Sequence, residues 1–276
     1  MDLSQVLETV SRSDPGMVRS HNEDAVHTNA ALGLAILADG MGGYNAGEVA
    51  SGMVTALLGS ELEKALGRPE SRLIDKDGRQ PTRGLLEAEI ARANSAVYQA
   101  AQSQPQYAGM GTTLVMAVFY DNAITVAHIG DSRLYRLRGE EFRQITRDHS
   151  LLQEQIDSGM LTVEQARSSQ NKNLVTRAVG VDPSVEAEIH EYATLPGDIY
   201  LFCSDGLNDM VEDEEIGMTL QMLGANLELA ATQLVQMAND NGGRDNVSVI
   251  LLRVRRQYPA PQGLGGWLAR LLAWFK

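Results

Sequence analysis

TLVMAVFYDNAITVAHIGDSRLYRLRGE, residues 113–140, is the stretch that decides the fold. It holds three runs rich in apolar and β-branched residues: Thr113–Tyr120, Ala123–Ile129 and Arg133–Leu137. Turns as short as Asp121-Asn122 and Gly139-Glu140 bound them. So little connecting chain leaves room only for antiparallel pairing, since a parallel crossover needs a dozen residues or more. Similar runs recur at Leu34–Ala38, Val185–Tyr192, Ile199–Cys203 and Val247–Val254. Helical patterns lie between them. Asn45–Leu66 is rich in Ala, Leu, Glu and Gly, and Leu85–Ala101 carries the stripe Leu86, Ile90, Ala93 and Val97. Glu212–Asn239 reads as two helices broken near Gly224. The expected class is α+β, an antiparallel β-sandwich flanked on both faces by α-helices.

The 276 residues carry a formal net charge of −13. Such a chain is repelled by nucleic acid and by anionic lipid, so no nucleic-acid partner is expected. Clustered carboxylates ionise together cheaply only around a cation. The single cysteine, Cys203, rules out an intramolecular disulfide and suits a reducing compartment. No basic-then-apolar leader opens the sequence, and no apolar run reaches the ~18 residues needed to span a bilayer, so a cytoplasmic location is expected. Residues 1–256 read as one domain, with a solvated loop over Gly67–Thr82 and a polar surface excursion over residues 150–173. The tail differs. Gln257–Gly266 is a Pro/Gly-rich linker, and Trp267–Lys276 is a short amphipathic helix that either folds back on the domain or docks to a partner or membrane surface.

Four aspartates share one kind of setting. Leu37-Ala38-Asp39-Gly40, Ile129-Gly130-Asp131-Ser132, Cys203-Ser204-Asp205-Gly206 and Gly243-Arg244-Asp245-Asn246 each place an Asp at or near a strand end, beside Gly or Asn. A buried strand feeding a carboxylate into a glycine turn gives a rigid ligand with close backbone approach. Any one such Asp is more simply a turn residue; four together argue for a site. The donors are all oxygen, and no pair of histidines has zinc-like spacing, which favours Mg²⁺ or Mn²⁺. Asn246 is placed to orient a neighbouring carboxylate by hydrogen bonding. In Arg19-Ser20-His21-Asn22-Glu23-Asp24 an arginine precedes two acids, and a guanidinium beside a metal centre can hold phosphate by a bidentate contact.

Taken in order, Arg19–Ala25 (RSHNEDA), Ala38–Ser51 (ADGMGGYNAGEVAS), Gly111–Thr113 (GTT), Ile129–Tyr135 (IGDSRLY), Ile145–Leu151 (ITRDHSL), Leu174–Gly180 (LVTRAVG), Cys203–Leu207 (CSDGL) and Gly243–Ile250 (GRDNVSVI) resemble the metal-dependent Ser/Thr phosphatases of the protein phosphatase 2C type, above all the bacterial ones. The resemblance spans about residues 10–254. It implies two stacked antiparallel sheets flanked by helices, with two metals at one end and a third in some members. It implies that Asp39 bridges two metals and Gly40 offers its carbonyl to one, while Asp205 and Asp245 complete the first metal's ligands. Glu23 and Asp24 would hold metal-bound waters, Asp131 and Asp209 the third metal, and Arg19 the substrate phosphate. Residues 150–173 correspond to the family's variable flap. The implied reaction is hydrolysis of phosphoserine and phosphothreonine by a metal-bridging hydroxide, opposing a bacterial Ser/Thr kinase, in a protein expected to be monomeric.

One position departs from many eukaryotic members. Met41 stands where they carry the histidine thought to protonate the leaving group. A metal-bound water or solvent is left for that task, and His149 is not assigned it. Two rivals remain. A nucleotide-binding loop is disfavoured because Asn45 stands where the last Gly of G-x-G-x-x-G belongs, and no Gly-Lys-Ser/Thr follows. A catalytically inactive phosphatase-fold binding module is disfavoured because Asp39, Asp205 and Asp245 are all present.

Overall fold

The structure, a computed structural model, describes residues 2–43, 45–68, 81–162, 165 and 174–259. Its strands are β1 (Leu7–Asp14), β2 (Asp24–Asn29), β3 (Leu34–Met41), β4 (Gly111–Thr112), β5 (Leu114–Tyr120), β6 (Ala123–Ile129), β7 (Arg133–Arg138), β8 (Glu141–Gln144), β9 (Glu188–Ala193), β10 (Ile199–Cys203) and β11 (Val247–Val254). They form two antiparallel sheets. One runs β1-β11-β10-β7-β8; the other runs β2-β3-β5-β6-β9, with β4 paired to β3. The helices are α1 (Ala46–Leu66), α2 (Pro81–Ser103), α3 (Leu151–Asp157), α4 (Asp205–Asn208), α5 (Asp213–Leu223) and α6 (Leu227–Asp240).

Alternation along the strands builds the layers. Ala35 and Leu37 of β3, Tyr200 and Phe202 of β10, and Ile250 and Leu252 of β11 meet between the sheets. The intervening residues face outward. Leu34 and Ile36 pack with Val54, Leu58 and Leu62 of α1 and Ile90 and Val97 of α2. Ile199, Leu201 and Cys203 pack with Ile216 and Leu220 of α5 and Leu234 of α6. Strands buried on both faces therefore read as unbroken apolar runs. Asp121 (φ 50°) and Asn122 (φ 57°) make the β5–β6 hairpin. Both occupy the left-handed region that a two-residue hairpin matched to strand twist demands, and Asp and Asn tolerate it.

The expected sandwich is present, with helices on both outer faces. The segment Glu212–Asn239 does divide at Gly224, which caps α5. The differences lie at edges. Val185–Ala187 is unpaired, so β9 begins at Glu188. Part of the polar excursion is helical, since the Ser150 hydroxyl accepts from the Gln153 N–H and starts α3. Residues 163–164 and 166–173 of that excursion, most of the loop expected over 67–82 and the tail from 260 lie outside the described residues.

Candidate metal centre

The β2–β3 register puts Asp24 directly opposite Asp39 at one end of the sandwich. Like charges facing each other across strands repel. The other sheet supplies Asp205, the first residue of α4 after β10, and Asp245, two residues before β11. Asp131 rides the crossing from β6 to β7, after Gly130 at φ 99°. Asp209 caps the C-terminus of α4, its N–H donating 2.8 Å to the Asp205 carbonyl. Both sheets thus feed carboxylates to one place.

The electrostatics expose the cost of this gathering. Burial, then repulsion from Asp24, Asp205, Asp131 and Asp245, holds the Asp39 carboxyl well above the usual carboxylate range. Asp205 is raised likewise by burial and then by Asp131, Asp209, Asp245 and Asp24. Burial pushes Asp24 and Asp131 up to about 6 each, and it raises Glu23 as well. Asp24 Oδ1, Glu23 Oε1 and Asp205 Oδ1 are buried with no hydrogen-bond partner among the described residues. Orphaned anionic oxygens are expensive unless a cation meets them. All-oxygen donors of this kind fit Mn²⁺ or Mg²⁺.

Backbone contacts hold the cage. The Asp39 N–H donates to Thr113 Oγ1 at 3.0 Å, while the Asp39 carbonyl accepts from the Thr113 N–H and the Thr112 hydroxyl, both at 2.8 Å. Thr113 Oγ1 in turn lies 2.7 Å from Ser132 Oγ. The Glu23 carboxylate faces the first turn of α1, whose backbone N–H groups at Gly47 and Glu48 favour its charged form against the larger effect of burial. Gly40 sits where no side chain fits. A Cβ there would run into the Gly47 carbonyl oxygen and lie 2.6 Å from the Glu23 carbonyl.

Residues 18–250 match the family model described as protein phosphatase 2C. The chain belongs to the protein phosphatase 2C family. The serine/threonine protein phosphatase PstP of Mycobacterium tuberculosis is 41% identical over 249 residues, which are 90% of this chain and 45% of that protein. The chain therefore spans about half the length of that relative. The serine/threonine phosphatase stp of Listeria innocua is 34% identical, covering 87% of this chain and 93% of its own. Among solved structures, the catalytic domain of PstP in complex with two manganese ions aligns with a TM-score of 0.78 at 39% identity, over 90% of this chain and 98% of that one.

Within this protein phosphatase 2C domain, several residues named from sequence carry partners that sequence does not reveal. Arg19 donates 2.7 Å to Asp245 Oδ2, with its side chain 51% exposed. The Asn246 side chain reaches no carboxylate. It donates to the carbonyls of Pro15 (3.0 Å) and His21 (2.9 Å) and accepts from the Glu23 N–H (2.8 Å), latching the β1–β2 loop. Its backbone N–H is the group that meets Asp245 Oδ1, at 2.9 Å. Ser204, given no role from sequence, donates to Asp24 Oδ2 at 2.8 Å. The signals for Thr112, Thr113 and Ser204 were only their places in GTT and CSDGL. Met41 ends β3 opposite Gly111. A cleft of about 350 Å³ adjoins the cage, lined by Asp131, Asp205, Asp209, Arg133, Asp148 and α3.

A second cluster lies off the cage. His128, His149 and Glu188 each bring one ligand atom within 4.8 Å of the others; among the described residues no trio of the cage aspartates is that compact. A cage for two ions is wider than one ion's coordination sphere. The histidine cluster reads better as a hydrogen-bonded stack. The rings lie 4.7 Å apart at 20°. His149 Nδ1 accepts from the Gly130 N–H at 3.2 Å, so its proton sits on Nε2, 3.4 Å from Glu188. A nitrogen that carries a proton offers a metal no lone pair. Burial lowers the pKa of both histidines and favours this neutral form.

Proposed function

We propose that this chain is a metal-dependent protein-serine/threonine phosphatase, and the observation carrying the reading is the orphaned, mutually repelling carboxylate cage built from both sheets. Asp39, the Gly40 carbonyl, Asp205 and Asp245 would hold two Mn²⁺ or Mg²⁺ ions, Asp131 and Asp209 would hold a third, and Glu23 and Asp24 would accept hydrogen bonds from water at the site. Metal bound there would supply a water of lowered pKa and positive charge facing the phosphoryl oxygens. Arg19 stands at the rim with donors to spare beyond its bond to Asp245; these bind and orient the phosphate. Thr113, Ser204 and the first turn of α1 keep Asp39, Asp24 and Glu23 in place. Cys203 takes no part, since burial raises its thiol far above the reactive range.

The substrates are phosphorylated Ser/Thr proteins, including a cognate kinase and its targets, met in the cytoplasm by a monomer. Residues 1–256 form the catalytic domain, and its core also takes in Tyr258, which is 1% exposed and donates its hydroxyl to the Ala123 carbonyl at 3.0 Å; the tail from 260 lies outside the described residues. No helix among the described residues is long and apolar enough to cross a membrane. The test is turnover of para-nitrophenyl phosphate and of a phosphothreonine peptide with Mn²⁺ and with EDTA. Mn²⁺-dependent release is expected, lost by about 10³-fold in a folded Asp39→Asn variant. A folded wild-type protein without turnover, or an Asp39→Asn variant with near-normal turnover, overturns the assignment.

A further inference from the structure

Two neighbouring apolar side chains beside Arg19 are held out into solvent: Met17 is 70% exposed and Val18 68%. Scattered exposed apolar residues need no explanation, but the backbone here argues for one. The Met17 and Val18 N–H groups both donate to the Gly243 carbonyl, at 2.8 and 3.2 Å. Gly16, at φ 79°, presses so closely on the loop before β11 that a Cβ would run into the Asp245 carbonyl oxygen. Asn246 grips the Pro15 carbonyl on one side and the His21 carbonyl on the other, and Asp14 Oδ1 accepts from the Gly16 N–H and from Asn239. A loop tip pinned this firmly does not bury its two largest apolar residues; it presents them. Because the backbone is already ordered, covering them on binding costs little entropy.

Their position names what covers them. Val18 adjoins Arg19, and Gly243 stands two residues before Asp245, Arg19's partner. A phosphate held at Arg19 would set the polypeptide that carries it beside this loop, within reach of the exposed Met17 and Val18. We infer that Met17 and Val18 form an apolar lip that selects phosphoprotein segments with an apolar side chain beside the phosphorylated residue. This rests on the phosphatase reading and narrows its substrate class. The lip touches peptide, not the reacting atoms, so it acts through KM.

The test compares the wild type with a Met17→Ser/Val18→Ser double variant, both loaded with Mn²⁺, on three substrates. These are para-nitrophenyl phosphate, a phosphothreonine peptide flanked by Leu and Val, and the same peptide flanked by Gly and Ser. The wild type is expected to favour the apolar peptide, and the double variant to lose about tenfold in kcat/KM on it through KM, with the small ester unaffected. Equal handling of both peptides by the wild type overturns the lip, as does a variant that keeps the preference. A wild type that fails even on the small ester marks failure of the phosphatase reading itself, and the lip falls with it. Circular dichroism and thermal melting of the variant separate a lost preference from a lost fold.

Discussion

At the scale of single residues, the most informative side chain is one that touches no substrate. Asn246 spends both its amide hydrogens and its oxygen on the backbone of the β1–β2 loop. That loop carries Arg19, Glu23 and the apolar lip. Replacing it with Ala leaves a Glu23 N–H and two carbonyls without partners, a loss of about 2–4 kcal/mol. Urea denaturation of Asn246→Ala should read that loss, and kcat/KM should fall even where the variant is folded. An unchanged midpoint would mean that the loop holds itself. The sequence marked Asn246 as belonging to the site but assigned its amide to a carboxylate, because adjacency to Asp245 was all it offered. The Arg19–Asp245 pair, 226 positions apart, and the Asp24–Asp39 opposition had no sequence signal, since both arise only from register and stacking.

At the scale of elements, the missed strands of four or more residues all lie at sheet edges, although the edge strand β9 was legible as Val185–Tyr192. β3, β5, β6, β10 and β11 are interior, covered on both faces, and their apolar runs announced them. β1, β2 and β8 are edges. LETVSRSD, DAVHTN and EFRQ are half polar because one side of each strand is left open. The long helices announced themselves by composition and periodicity; the short α3 and α4 did not. The contact between β3 and α1 is one close backbone approach on which the cage depends. Gly40 and Gly47 let the two backbones meet, and the Gly40 N–H donates 3.0 Å to the Glu23 carbonyl. Gly40→Ala forces backbone against backbone and should cost at least about 3 kcal/mol or prevent folding. A Gly40→Ala protein that melts like the wild type would show that α1 can retreat.

At the scale of the whole molecule, the cage makes stability depend on protons and ions together. The raised folded-state pKa values of Asp39, Asp205, Asp24 and Asp131 mean that the folded state binds protons more tightly than the unfolded chain does. The contribution of Asp24 and Asp131 is fully present at low pH and is lost as pH rises through about 6, and the raised Asp39 and Asp205 act in the same direction. Metal-free protein should therefore lose about 5 °C or more in Tm between pH 5 and pH 7. Saturating Mn²⁺ should raise Tm most at pH 7, because the ion takes the place of those protons. Calorimetry with EDTA and with Mn²⁺ at both pH values checks this. A flat metal-free profile would mean that the carboxylates stand apart in solution. Asp39→Asn, which removes one buried charge, should flatten the metal-free slope while abolishing activity.

Cys203 lies sealed against Leu207 and Val211 beneath the outer face of β10, and it is the only thiol in all 276 residues. The folded protein is in effect blank to maleimides and other sulfhydryl reagents. A cysteine introduced as Met17→Cys would then be the single attachment point on a protein whose native cysteine need not be removed. A dye or spin label there would report directly on whatever polypeptide comes to rest beside Arg19.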